Sequence, residues 1–161
     1  MRKEILLLLP LVILLVFGGT PQKKEGVDHS VLESGDNAAI DFKSPTIEVL
    51  SDDKGFAFFY TRLHSGRVPR PEIPHVDFSS GRTVFLSFGK KSTAGYTIEL
   101  MEVYIRGDVL IMEAVIDTPL KDSMQAQVVT HPYLLVFVPK PGYRRIELRD
   151  TRGETLAFKS L

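Results

Sequence analysis

The chain contains no cysteine. Disulfides, thiolate metal sites and a cysteine nucleophile are therefore excluded together. Tryptophan is also absent, so bulky packing must come from ten phenylalanines and five tyrosines. There is no excess of either charge, with 20 Lys/Arg against 20 Asp/Glu. A nucleic-acid backbone demands a basic footprint, so no nucleic-acid partner is expected. The charges are nevertheless segregated along the chain. Residues 25–53 hold eight acids against Lys43 alone, whereas residues 54–91 hold seven Lys/Arg against Glu72 and Asp77. Such polarity can steer association, although a solvated surface with intramolecular pairing is the simpler account and the one preferred.

Signatures of catalysis are missing as well. No Gly-x-Ser-x-Gly elbow occurs, and Phe78-Ser79-Ser80-Gly81 reads as a turn. His29, His64, His75 and His131 are scattered without i, i+4 pairing. His75-Val76-Asp77 places two ligand-type side chains on one strand face, but zinc needs three or four ligands. No metal, no cofactor, no catalytic residue and no enzymatic activity are expected. No internal repeat is visible.

What is present begins with a short basic start, Arg2 and Lys3, followed by an apolar run from Ile5 to Phe17 interrupted only by Pro10. Thirteen helical residues span about 20 Å, short of the roughly 30 Å hydrocarbon core. Residues 1–18 therefore read as an export signal or N-terminal anchor, with cleavage after Gly18 as one outcome. Without a cysteine near Gly19 there is no lipid-attachment site. Residues 19–30 are polar and aperiodic, a flexible linker, and a single globular domain is expected over 31–161. An exported protein at the periplasm, cell surface or outside the cell follows, touching membrane only through the N-terminal segment.

Within the domain, 43% hydrophobic residues over 161 suffice for one core. Val31–Ser34 and Ala38–Phe42 suggest a short hairpin around Gly35-Asp36-Asn37. Thr46–Leu50 is β-branched and reads as a strand. An amphipathic helix near 52–64 follows, capped by Ser51, with Asp52 and Asp53 in the first turn where the macrodipole favours acid. Phe56, Phe59, Tyr60 and Leu63 fall at i, i+3, i+4 and i+7, one apolar stripe. On that basis Phe59→Ala costs roughly 3–5 kcal/mol, and Gly55 weakens the helix by about 1 kcal/mol relative to alanine. Gly66, Pro69 and Pro71 stop the helix, and residues 65–75 make an exposed, extended connector.

From Thr83 the pattern is β. Thr83–Phe88 is a buried strand, and Tyr96–Ile105 alternates, with a bulge near Glu102 or Val103. Arg106-Gly107-Asp108 is hairpin turn chemistry rather than an adhesion ligand, and Val109–Ile116 returns as its partner. Pro119–Met124 is a loop, Gln125–Thr130 a strand, and Leu134–Val138 another. Arg145–Leu148 and Thr155–Phe158 close a final hairpin. The fold class is α+β, mostly antiparallel β, as a sandwich or strongly curved sheet with one helix. Aromatic rings flanking Pro132 make a cis His131–Pro132 bond more frequent than at an ordinary X-Pro bond, with trans still the commoner form.

One stretch organises the rest. Val76-Asp77-Phe78, then Gly89-Lys90-Lys91-Ser92-Thr93-Ala94-Gly95-Tyr96-Thr97-Ile98-Glu99-Leu100, then Pro119, then Gln127-Val128-Val129-Thr130-His131-Pro132-Tyr133, resembles the C-terminal domain of the protease complex subunit PrcB family over about 76–139. That resemblance implies a non-catalytic, exported accessory or interaction protein of the bacterial envelope, with a protease as its suspected partner. Ala94 departs from the usual first glycine of a pair, so the loop must accept a Cβ there.

Two loops are thus the candidate binding elements: Thr93, Ala94, Gly95 and Tyr96, and Thr130, His131, Pro132 and Tyr133. They serve either as a structural latch, with Gly95 permitting an unusual backbone and Tyr96 packed, or as a binding edge. Ser92–Tyr96 also shares a T-x-G-Y core with chagasin-like cysteine protease inhibitors, without their Asn-Pro start or Trp. Protease inhibition through the Thr93–Tyr96 loop is the alternative reading.

Overall fold

The computed structural model describes residues 23–119 and 124–161. The expected export signal and the first part of the linker lie outside the described residues, as does the middle of the 119–124 loop. In chain order the elements are β1 (Glu25–Gly26), β2 (Ser30–Gly35), β3 (Thr46–Leu50), α1 (Asp53–Leu63), β4 (Gly81–Ser87), β5 (Thr97–Arg106), β6 (Val109–Asp117), β7 (Tyr133–Pro139), β8 (Arg145–Arg149) and β9 (Thr155–Ser160). They form a five-stranded sheet, β1-β5-β6-β8-β9, and a four-stranded sheet, β2-β7-β4-β3. All neighbours are antiparallel except β6 and β8.

Strand alternation explains the layering. Val84, Leu86, Leu134, Val136 and Val138 face Leu110, Met112, Ile146 and Leu148 in the core between the sheets. The intervening residues Phe85, Tyr133 and Leu135 point the other way, onto Phe56, Tyr60 and Leu63 of α1. The result is three layers, helix on small sheet on large sheet. β4 and β7 are covered on both faces, which is why they read as nearly unbroken apolar runs.

The helix starts one residue later than expected. Asp52, not Ser51, is the N-cap, its carboxylate accepting from the Gly55 amide at 2.8 Å. Its backbone is extended, as a cap requires, while Asp53 takes the first-turn position. Phe56, Tyr60 and Leu63 are buried and Phe59 is half-buried. The connector after α1 is exposed, with Val68 98% accessible. Gly107 adopts φ +65° in the β5–β6 turn, and the expected bulge in β5 falls between Leu100 and Glu102.

Three expectations are corrected. β2 does not form a hairpin with Ala38–Phe42; it pairs with β7, Ser34 opposite Leu134. The Ala38 and Ala39 amides instead donate to the carbonyls of His131 and Leu63, so this segment ties the helix end to β7 rather than forming a strand. Gln125–Thr130 is a loop with one bridge, Thr130 to Lys91. A tight turn, Val128 amide to Ala126 carbonyl, bends it outward and leaves Val128 and Val129 about half-exposed. β-branched residues there had no layer to bury against. Finally, among the described residues the cis peptide is Val68–Pro69, and His131–Pro132 is trans. The chain continues from the Thr130 bridge directly into β7, and the Pro132 carbonyl accepts from buried Ser87 Oγ on β4 at 3.1 Å.

Candidate functional site

The Thr93–Tyr96 loop joins β4 to β5, and its main chain is laced to the loop before β7. Lys91 and Thr130 exchange amide–carbonyl bonds of 2.8 and 3.1 Å, and the Ala94 amide donates to the Ala126 carbonyl at 3.0 Å. Thr130 Oγ1 donates to the Thr93 carbonyl at 2.9 Å. Gly95 has φ +92°, and a Cβ there would lie 2.4 Å from Gln125 Oε1 and 3.1 Å from Pro119 Cβ. The backbone angle demands glycine, while the Gln125 side-chain end could move aside for a Cβ. Ala94 is tolerated because no non-glycine residue among those described has positive φ. Tyr96 is half-buried, and Lys91 Nζ lies 5.7 Å from its ring centroid.

The structure therefore brings Thr93 and Ala94 together with Thr130. It does not bring Tyr96 together with Tyr133. Thr130, His131, Pro132 and Tyr133 are all buried. His131 Nε2 lies 3.0 Å from Asp41 Oδ1, and its amide donates to Asn37 Oδ1. Tyr133 has turned to the helix layer.

There it meets a cluster that sequence reasoning missed. Tyr133 hydroxyl donates to Glu33 Oε1 at 2.5 Å, and the Tyr60 hydroxyl faces the same carboxylate. His64 Nε2 lies 3.2 Å from Glu33 Oε2, and Arg67 approaches Oε1 at 3.8 Å. Because a carboxylate accepts, Nε2 carries the proton and Nδ1 is left bare, buried without a partner. β2, α1 and β7 are thereby joined through one carboxylate. Burial, then the Glu33 carboxylate, pushes Tyr60 up to about 12 and Tyr133 further. The only trace in the sequence was Tyr60 and His64 at i, i+4, two polar-tipped rings on the apolar stripe.

Burial also pulls His64 below its usual 6.5, with Glu33 opposing and Arg67 assisting. The unfolded chain thus takes up this proton at higher pH than the folded one. Stability is full above about 6.5 and falls as pH drops through the folded-state value. A urea midpoint falling between about pH 7 and pH 5, with a shallower fall in His64→Gln, is expected; identical slopes in the two proteins would contradict this. Glu147 acts lower. Burial pushes its carboxyl up, but Arg149 and Arg145 outweigh that and hold it below 4.5, so its contribution is lost only in stronger acid.

Three of the concavities on the surface bear on the site. One, about 540 Å³, is lined by the β1–β2 crossing with Ile105, Phe137 and Pro139. A smaller one of about 220 Å³ includes His75 and Asp77. Asp77 is held near 2 by the Ser79 and Ser80 hydroxyls that bond it. No group of three His, Cys, Asp or Glu that could hold a metal occurs among the described residues. The third, about 430 Å³, opens between the two sheets beside Lys91, with Phe88, Ala114, Ile116 and Leu156 in its walls.

Residues 83–139 match the family model described as PrcB C-terminal. The match takes in most of β4, all of β5, β6 and β7, and both laced loops. No curated protein and no solved structure matches the chain.

Proposed function

We propose, from the PrcB C-terminal match of residues 83–139, that this chain is a non-catalytic accessory subunit that associates with a protease in the bacterial envelope. The match is the observation that carries the reading. The geometry supports it: the matched segment supplies the middle of both sheets, and its two loops are laced to each other through Lys91, Thr93 and Thr130. Such a segment is a frame that presents a surface. Export, through residues 1–18, places that surface in the periplasm, at the cell surface or outside the cell.

The inhibitor reading is the weaker one, because the Thr93 carbonyl and the Ala94 amide already have internal partners. An inhibitory loop would need such groups for the protease. Cross-linking the tagged full-length protein in envelope extracts of its native bacterium should recover a protease absent from untagged controls. Recovery of no protease overturns the accessory reading. Inhibition of a cysteine or serine protease at micromolar concentration would put the inhibitor reading in its place.

A further inference from the structure

The cleft beside Lys91 has features of a ligand site that the internal bonding of the two loops does not explain. It opens between the sheets, and Phe88, Ile116 and Leu156 are only half-buried in its walls. Its volume of about 430 Å³ is in the range of natural ligand pockets. Its floor includes Ala114, fully buried, where a larger side chain would fill the space.

Two charged residues stand in the lining, and they differ in availability. Asp150 is fully engaged: its carboxylate accepts from the Arg152 amide at 3.0 Å, Arg152 Nε at 2.9 Å and the Glu154 amide at 2.8 Å. Lys91 is not. Its backbone is held by Thr130, but its ammonium has no carboxylate within salt-bridge distance among the described residues and lies only near the Tyr96 face. The cleft therefore offers an apolar interior and, on its rim, one positive charge on a side chain whose backbone is fixed.

We propose that this cleft binds an apolar side chain accompanied by a carboxylate, presented by an extended segment of a protein partner, with the apolar group between the sheets and the carboxylate on Lys91. As the docking point for a protease this deepens the accessory reading and rests on it; the ligand class itself rests on the cleft alone. The laced loops then have a purpose: by fixing the Lys91 backbone, they root this side chain at the rim, within reach of the cleft.

The test uses isotope-labelled full-length protein in dodecyl maltoside, titrated with N-acetyl-leucine and with N-acetyl-leucinamide, which lacks the carboxylate. Saturable amide shifts at Phe88, Lys91, Ile116 and Leu156 are expected, with N-acetyl-leucine up to about fivefold tighter, the most an exposed ion pair usually supplies. Lys91→Gln should remove that preference without unfolding, since its pairing with Thr130 uses only main-chain atoms. Thr151→Trp, at the exposed rim, should weaken both probes. Equal affinity for the two probes in the unsubstituted protein, shifts centred elsewhere, or no saturable shift overturns the inference. If a protease is recovered equally with the unsubstituted chain and Lys91→Gln, the docking role falls while the accessory reading stands. If the probes bind as expected and no protease is recovered, the ligand class stands and the accessory reading falls.

Discussion

Glu33→Ala is expected to lower the free energy of unfolding by about 3 kcal/mol, toward the lower end of what removing one partner from a buried charged network costs. The Glu33 carboxylate accepts from Tyr133 and faces the Tyr60 hydroxyl and His64 Nε2, and the residues Tyr133, Tyr60 and His64 are 0, 3 and 1% exposed. Alanine would leave their donors buried with no acceptor, and an unmade buried hydrogen bond costs more than a made one contributes. Tyr133→Phe removes a donor and its bond together and should cost only about 1–1.5 kcal/mol. The double substitution should be less damaging than the two losses added, a coupling of about 1 kcal/mol. Chemical denaturation of the four proteins closes the cycle; strict additivity would mean that Glu33 is not the acceptor.

Phe85→Ala is expected to cost about 4 kcal/mol, in the range for deleting a buried aromatic side chain. Phe85 is wholly buried on the helix side of β4, its ring 4.9 Å from Phe42, 5.0 Å from Phe59 and 5.8 Å from Tyr133. Its removal opens a cavity that three other rings border. Phe59, half-buried at the edge of the same cluster, should cost about 2 kcal/mol when truncated, because only part of its surface leaves water. That is less than its place on the helical stripe suggests. Urea midpoints at unchanged m-value measure both, and Phe59→Ala matching or exceeding Phe85→Ala would contradict this ordering.

The contrast between these two phenylalanines shows what was legible in the chain. Period and punctuation marked β3 to β7, the final hairpin and α1, because a strand or helix writes its own repeat and its turns carry Gly, Pro or Asp. Gly95 was legible as a backbone requirement for the same local reason. Which strand a segment pairs with is not local. Val31–Ser34 has a strand-like pattern, but nothing in it says that its partner is β7, some hundred residues away. Phe59 and Phe85 likewise cannot be ranked until the helix is seen to sit over β4. Nothing local marks Glu33, because its donors come from other elements. Thr130–Tyr133 looked like a binding loop because Thr, His, Pro and Tyr are loop residues by composition. Their burial is decided by Asn37, Asp41 and Glu33, which the motif does not contain.

The parallel pairing of β8 with β6 has a consequence for how the molecule assembles. Between these two strands the chain leaves the large sheet, supplies β7 as a middle strand of the small one, and returns. Neither sheet can be completed before the other has begun, so folding rests on contacts distant in sequence and is expected to be slow and all-or-none. The matched segment, 83–139, stops before β8, whose Ile146 and Leu148 belong to the core between the sheets. The family signature therefore marks the centre of a cooperative unit and not a piece that folds by itself, and a chain cut at its boundaries would expose the core it was meant to isolate.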